Sequence, residues 1–203
     1  MTKVKSLLTG FFVVFLASFN AGNSTATFKD QLEKSGMTFE MPKGFIETSV
    51  VANSRMNYDY AIKHETKHFE VRFALRPLND LIKAYKELEK NKKDGDINLN
   101  PNKFYQTSLQ ATVLNISGGQ MPQFSQFPPQ AVKAEFNAEW GATSFFEVGK
   151  EFGQTYKYCM VVAIHKDNLA DAYYFYLSDK QETINELAEP VFHCLKFTQI
   201  KHP

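Results

Sequence analysis

Tyr58-Asp-Tyr-Ala-Ile-Lys-His-Glu-Thr-Lys-His-Phe-Glu-Val-Arg-Phe-Ala-Leu75 is the stretch of the chain that decides the fold. Apolar side chains alternate with polar ones on both sides of the polar segment His64–His68, and a period of two is typical of half-buried β-strands. Because the central segment is far shorter than the crossover that parallel strands need, the two halves are predicted to pair antiparallel. The stretch therefore predicts a β-hairpin.

The same alternation recurs along the chain and predicts a larger sheet. It is found in Met37–Met41, Val132–Trp140, Ala142–Val148, Tyr156–His165 and Ala172–Leu177. Val132–Trp140 is the most regular of these segments, and Gly141 is interpreted as a tight turn into the strand that follows. We expect a mostly antiparallel sheet of about six or seven strands, because the polar links between these segments are short.

Three segments have apolar residues at helical spacing: Leu78–Leu88, Pro101–Ile116 and Ile184–Phe192. Asn79 is a candidate cap for the first, and Gly118-Gly119 is expected to end the second. Pro190 is expected to interrupt the third near its end. Strands, two helices, a meander and a closing helix together predict one α+β domain in which helices pack on the sheet.

The first residues have the layout of a secretory signal peptide, with a positive start, an apolar run and a stretch of small polar residues. These three parts are Lys3 to Lys5, Leu7–Phe19 and Asn20–Ala26. We expect cleavage after Ala26, with a site at Ala21 as the alternative, so that residues 27–203 form the domain. A retained anchor is the other interpretation, but the run is shorter than the about 20 residues of a membrane span. The protein is therefore expected to be exported, periplasmic or secreted, with no membrane span in the mature chain.

Composition narrows the classes of partner. The formal net charge is +1 and charged residues of both signs are interspersed, which argues against nucleic acid or an anionic membrane as partner. With 43% hydrophobic residues the chain can bury a substantial core. Cys159 and Cys194 are an even pair in an exported chain, so a disulfide and two free buried thiols both remain open.

The order of elements resembles the PsbP-like family, which comprises extrinsic photosystem II subunits and their non-photosynthetic relatives. Three stretches carry the resemblance: Met37–Phe45, the pair Tyr58–His64 and Phe69–Pro77, and Asp171–Ser178 before a closing helix. The likeness extends over roughly residues 37–197 and rests on element order rather than on a motif. It implies an antiparallel sheet covered by helices, and a binding or assembly role rather than catalysis. It supplies no functional residue.

His64-Glu-Thr-Lys-His68 matches the zinc-protease pattern letter for letter. That chemistry needs a helix, because a step of four residues then places both imidazoles on one face with the Glu beside the metal-bound water. Here both flanks alternate like strands, so the five residues are predicted to form a hairpin turn. The two histidines remain candidate ligands of a metal ion.

Asp94-Gly-Asp96-Ile-Asn98 has the spacing of the first three oxygen ligands of a calcium-binding EF-hand loop. The pattern then fails, because Leu99 replaces the glycine of the sharp turn and Tyr105 replaces the bidentate Glu. An ordinary connection between two helices uses the same residue types. Asp94, Asp96 and Asn98 are kept as candidate calcium ligands.

Gly118-Gly-Gln-Met-Pro-Gln-Phe-Ser-Gln-Phe-Pro-Pro129 is a long segment without any charge. Long loops in compact domains are often functional, and prolines lower the entropy cost of ordering on binding. Met121, Phe124 and Phe127 are therefore the candidate partner-binding residues. The alternative is that the two phenylalanines fold back onto the core.

No catalytic residue is predicted, since no serine lies in a Gly-x-Ser-x-Gly setting and neither cysteine has a histidine at a family spacing. The leading hypothesis is an exported, non-enzymatic binding or accessory protein that uses surface loops to bind a partner protein or a small ligand. A hydrolase whose site assembles only in three dimensions is the first alternative. A metal-dependent module is the second, with zinc at His64 and His68 or calcium in the Asp94 loop. No cofactor is predicted otherwise.

Overall fold

The computed structural model describes residues 24–198, so the predicted signal peptide lies outside the described residues except for Ser24 to Ala26. Within this range the hairpin prediction is confirmed. Strand β3 (Tyr60–His64) pairs antiparallel with β4 (Phe69–Pro77), with Tyr60 opposite Phe73. The four polar residues between them, 65–68, are exposed and form the turn.

The hairpin belongs to a seven-stranded antiparallel sheet of order β2-β3-β4-β8-β7-β6-β5, which confirms the α+β class for the described residues. The remaining strands of this sheet are β2 (Phe45–Glu47), β5 (Phe124–Gln126), β6 (Trp140–Glu147), β7 (Tyr158–Lys166) and β8 (Ala170–Ser178). A separate two-stranded ribbon joins β1 (Met37–Phe39) to β9 (Leu195–Phe197).

Seven α-helices are assigned within residues 24–198: α1 (Ser24–Ser35), α2 (Asn79–Lys90), α3 (Tyr105–Ile116), α4 (Pro129–Phe136), α5 (Lys150–Gly153), α6 (Gln181–Leu187) and α7 (Glu189–Phe192). A 3-10 turn, Pro101–Lys103, precedes α3. None of the helices in the described range is long and apolar enough to cross a bilayer.

Both sides of the sheet are covered, and β8 shows how. All nine of its residues are buried. Tyr174 and Tyr176 point to the first side, where they join a core with α1, α4, α6, α7 and the β1–β9 ribbon, whereas Phe175 and Leu177 point to the second side, under α3 and α5. Successive side chains of a strand point to opposite faces, so a central strand that is apolar at nearly every position supports two separate cores.

The prediction of a strand over Val132–Trp140 is wrong except at Trp140, where β6 begins, because residues 129–136 form helix α4 and residues 137–139 connect it to β6. The buried residues of α4 are Val132 and Phe136, and their separation of four suits one helical turn as well as two strand periods. Pro129 fits the start of a helix, and Asn137 ends it in the left-handed conformation, with φ of 52°.

Gly141 lies inside β6 and does not form the predicted turn. A Cβ atom at this position would lie 3.1 Å from Cδ2 of Phe127 and 3.3 Å from Cγ2 of Val132. Glycine therefore lets the segment around α4 pack closely on β6.

Two predicted helix starts also differ from the structure. Asn79 does not cap α2: Leu78 is at the N-cap position, and the Asn79 side chain donates to the carbonyl oxygen of Lys34 at 2.9 Å. Pro101, the predicted start of the second helix, begins the 3-10 turn instead, and Asn100 caps that turn by accepting a hydrogen bond from the backbone N–H of Asn102. The helices after Pro77 and around Pro190 are otherwise present, the latter divided into α6 and α7.

Candidate functional site

The two histidines of the zinc-like motif lie at the β3–β4 turn but do not converge. The ring of His64 packs edge-on against Phe45 at 5.2 Å between centroids, and Phe45 belongs to the core on the first side of the sheet. The ring of His68 stacks on Tyr156 at 4.4 Å, and Tyr156 packs against the core on the second side. The structure therefore does not bring the two imidazoles to one metal ion.

His68 instead connects a carboxylate to a hydroxyl. Its Nδ1 lies 3.3 Å from Oδ1 of Asp179 and its Nε2 lies 3.2 Å from Oγ1 of Thr155. This is the order of carboxylate, base and hydroxyl nucleophile in hydrolases. An acyl-transfer site also needs a cleft that excludes water, and the His68 and Asp179 side chains are about half exposed. Two hollows of the described surface, about 630 Å³ along α2 and about 400 Å³ between α4 and β9, do not include these residues.

The candidate calcium ligands lie in an ordinary turn and make local hydrogen bonds. Oδ2 of Asp96 accepts a hydrogen bond from the N–H of Lys93 at 2.8 Å, and the amide of Asn98 donates to Glu89 at 2.7 Å. Asp94 is exposed. Across residues 24–198, no group of three or more His, Cys, Asp or Glu side chains is placed to hold a metal ion.

The candidate partner-binding residues are divided between surface and core. Met121 is 55% exposed, whereas Phe124 and Phe127 are half-buried. Phe124 packs against the second-side core and Phe127 against the first-side core. The two phenylalanines thus anchor the segment to the fold at β5, on the edge of the sheet, and Met121 is the one of the three that is available to a partner.

The two cysteines are free thiols in the structure and both are buried. Cys159 lies in the core on the second side of the sheet and Cys194 in the core on the first side. The sheet separates them, so the disulfide that an even cysteine count allowed is not formed. Burial raises the pKa of both thiols above the usual range, which makes them poor nucleophiles at neutral pH.

A polar cluster that the sequence reasoning did not identify lies at the β7–β8 turn. His165 is 1% exposed. Its Nδ1 lies 2.6 Å from Oδ1 of Asp171 and its Nε2 lies 2.9 Å from Oδ1 of Asp167. Burial by itself lowers the pKa of His165, but the hydrogen bonds to Asp171 and Asp167 together outweigh it and raise the pKa. Both ring nitrogens face a carboxylate, and only the protonated imidazolium can donate to both at once, which is why these contacts raise the pKa.

This His165 cluster fixes the beginning of α3. The ring of His165 stacks on Tyr105, the first residue of α3, at 4.3 Å. Asn102, just before α3, exchanges two hydrogen bonds with Asn168 in the β7–β8 turn. Since both nitrogens of His165 are occupied by carboxylates, neither is free to move a proton to a substrate. The cluster positions α3; it does not have the arrangement of an acid–base catalyst.

Beyond this anchor, the chain presents a surface without charge. No Asp, Glu, Lys, Arg or His occurs from Phe104 to Val132, in a chain of which 22% of the residues are charged. We call the exposed part of this span the neutral surface. Its polar members are mainly amide and hydroxyl side chains, and its exposed apolar members are Phe104, Leu114 and Met121, at 40%, 42% and 55% exposure. The sequence alone shows this property. No charged residue occurs between Lys103 and Lys133, a span that includes α3 as well as the loop that follows it.

Helix α2 provides a contrast. Its predicted apolar stripe is only partly covered: Leu78 and Ile82 are buried, whereas Leu81 and Leu88 are exposed. These leucines lie among lysines and glutamates that pair with each other, such as Lys90 with Glu87 at 2.7 Å. Exposed apolar groups within a charged surface are normal for a soluble domain, so α2 does not stand out as the neutral surface does.

Comparison with known proteins adds little to this geometry. No family model matches the chain. No curated protein matches it either. Among solved structures the chain is similar to the solution structure of cyanobacterial PsbP (CyanoP) from Synechocystis sp. PCC 6803, with 14% identity and a TM-score of 0.41, covering 81% of this chain and 88% of that one. At these values the similarity carries no argument about function, and membership of the PsbP family stays a prediction.

Proposed function

We propose that the protein is an exported, non-catalytic binding protein that docks a partner protein on the outer side of α3 and the adjoining segment that contains Met121. The observation that carries this proposal is the absence of charge from Phe104 to Val132. Charged residues are depleted at the centres of protein–protein interfaces, because a buried charge without a counter-charge is costly.

The chemistry of the surface defines the partner. The outward side chains of α3 include Gln106, Thr107, Gln110 and Leu114. They offer hydrogen-bond donors, acceptors and apolar contact but nothing to neutralise a charge. A charged patch pressed against them would lose water without gaining a counter-ion. The expected partner surface is therefore uncharged as well, with amide or hydroxyl groups around apolar side chains.

The anchoring of the surface supports a binding role. The His165 cluster holds the start of α3, and Phe124 holds the segment that follows the helix. Pro122 and Pro128 restrict the backbone next to β5. A surface held in its bound conformation loses less conformational entropy on association, so a modest contact area can suffice.

Site-specific crosslinking in the producing organism tests the proposal. A photoreactive amino acid is placed at Gln110 or Leu114, and at Lys83 on α2 as a control. We expect one discrete adduct from the two α3 positions and none from Lys83. The adducted protein is then purified and its affinity measured directly. Leu114→Lys should weaken binding at least tenfold, and Lys83→Glu should leave it within about twofold. Equal adducts from Lys83, or full affinity of Leu114→Lys, would contradict the proposal.

A separate experiment tests whether the protein is exported. If the signal peptide is processed as the sequence predicts, mass spectrometry of the protein recovered outside the cytoplasm will give Thr27 as the first residue. Replacing an apolar residue of the run Leu7–Phe19 by Arg should retain the precursor in the cell. A full-length chain in the cytoplasm of the unmodified organism would refute export.

A hydrolase is the second candidate, and the contacts of His68 with Asp179 and Thr155 favour it. A small activated ester reports on such a hydroxyl. In a catalytic arrangement Thr155→Val abolishes turnover of this ester. Equal rates for Thr155→Val and the unmodified protein would remove this candidate.

A further inference from the structure

We propose that the chain forms a symmetric dimer in which β5 of one copy pairs antiparallel with β5 of a second copy, so that the two seven-stranded sheets become continuous. The inference does not rest on the proposed function. It concerns the edge of the sheet, whereas the proposed partner docks on the outer side of α3. Its support comes from the backbone of β5, from the absence of charge around it, and from the different character of the opposite edge.

The backbone of β5 leaves one set of hydrogen-bonding groups directed outward. The N–H of Phe127 donates to the carbonyl oxygen of Gly141 at 2.9 Å, and Ser125 lies opposite Thr143 in the ladder. In an antiparallel pair, alternate residues bond to the same neighbour. Ser125 and Phe127 therefore bond toward β6, and the N–H and C=O groups of Phe124 and Gln126 point away from it. Within residues 24–198 these outward groups have no hydrogen-bond partner.

A two-fold axis through Ser125 gives each of these outward N–H and C=O groups a hydrogen-bond partner. It places Phe124 opposite Gln126 of the partner subunit, where the two residues exchange both of their N–H···O=C bonds, and the symmetry repeats the exchange on the other side of Ser125. The three residues of β5 form one complete self-pairing unit.

The absence of charge around β5 favours a second copy of the chain as the partner that pairs with this strand. A two-fold axis sets a surface against itself, so each charge near the axis meets a charge of the same sign. No charged residue occurs from Phe104 to Val132, so no charge of this span meets its own copy across the axis. Charged residues are one of the devices that protect natural edge strands from pairing, together with short length, prolines and bulges. The opposite edge strand, β2, has such charged residues, with Lys43 just before it and Glu47 at its end, both exposed.

Sedimentation equilibrium of the purified mature chain tests the dimer. We expect a doubled mass at high protein concentration. Gln126→Pro removes the outward N–H without touching a bond to β6, and it should weaken self-association at least tenfold. Gln126→Ala is the matched control, because it removes the side chain and keeps the N–H; it should associate like the unmodified protein. Circular dichroism melting shows whether each variant is folded.

Two substitutions of opposite charge at Ser125 provide a second test, which does not depend on introducing a proline. Ser125 is exposed and meets its own copy at the axis. Ser125→Lys and Ser125→Glu should each weaken the homodimer severalfold, and an equimolar mixture of the two should recover dimers made of one copy of each. A monomeric unmodified protein overturns the inference. So does a Gln126→Pro dimer of undiminished affinity, or a mixture of the Ser125 variants that stays monomeric. None of these outcomes bears on binding at α3, which the crosslinking experiment addresses.

Discussion

His165→Gln is the perturbation that tests the polar cluster at the β7–β8 turn most directly. In the folded protein Nδ1 of His165 lies 2.6 Å from Oδ1 of Asp171 and Nε2 lies 2.9 Å from Oδ1 of Asp167, and the side chain is almost completely buried. Glutamine keeps one donor group but no positive charge, so the carboxylate of Asp171, which is 11% exposed, stays buried without a counter-ion. Removing one partner of a buried ion pair costs about 3–5 kcal/mol. We expect a loss of this size in the free energy of unfolding.

The same contacts set the direction of the pH dependence. Burial lowers the pKa of His165, yet the hydrogen bonds to the two aspartates raise it overall above the value in the unfolded chain. A group whose pKa is raised on folding contributes stability that is fully present below its unfolded pKa, about 6.5. This contribution is lost as pH rises through the folded pKa. The unfolding free energy of the unmodified protein should therefore fall on the alkaline side, and that of His165→Gln should lack this component.

Urea denaturation followed by far-ultraviolet circular dichroism, at several pH values from 5.5 to about 9, measures both effects. His193→Gln is the control, because its pair with Glu135 lies at the surface, with both side chains about half exposed, and such pairs are worth about 0–1 kcal/mol. Two results would refute the reasoning. One is a loss below about 1 kcal/mol for His165→Gln. The other is a pH profile of the variant parallel to that of the unmodified protein.

Three further predictions follow from the two cores. Arg72→Met should lower the unfolding free energy by about 3–5 kcal/mol, because Glu70 then loses the guanidinium that lies 2.5 Å away; a melt within a few degrees of the unmodified protein would contradict this. Ala134→Pro should cost about 3 kcal/mol in urea titrations, because Ala134 lies inside α4; a small change would favour the strand that the alternation first suggested. Iodoacetamide should label Cys159 and Cys194 only after unfolding, and dithiothreitol should leave the melting temperature unchanged, since both are free and buried. Labelling of the folded protein would show the cores to be more open.

The sequence predicted the strands well where they are long and, except for β1 within Met37–Met41, poorly where they are short. β4, β7 and β8 each span nine residues, enough for alternation to be unmistakable. β2, β5 and β9 have three residues each. A strand of that length has no periodicity of its own and exists because a longer neighbour offers hydrogen bonds.

The error over α4 has a different origin. Val132 and Phe136 satisfy both periods, and Ala134 is compatible with either a buried or an exposed position. The decisive signal was the pair Pro128-Pro129, since proline suits the first turn of a helix and removes a donor from a strand. Local backbone chemistry therefore outweighed the hydrophobic pattern.

The His165 cluster could have been predicted in part. A hairpin that pairs Lys166 with Ala170 necessarily places His165 opposite Asp171, and the sequence identified both strands and their link. The stacking on Tyr105 could not be foreseen, because it depends on where α3 crosses the sheet. Registers are local consequences of a turn, whereas helix placement is decided by the packing of whole cores.

The two proposals combine into one expectation about affinity. Pairing at β5 lies in the plane of the sheet, and the outer side of α3 faces away from that plane. A dimer joined at β5 would thus present two uncovered α3 surfaces to partners. If the partner is itself dimeric or fixed in an array, the second contact becomes intramolecular and the overall binding can exceed that of one site by orders of magnitude. Gln126→Pro should then weaken binding to an immobilised partner while leaving the affinity for a monomeric partner unchanged. Equal loss in both formats would mean that β5 contacts the partner itself, and the separation of the two surfaces would be wrong.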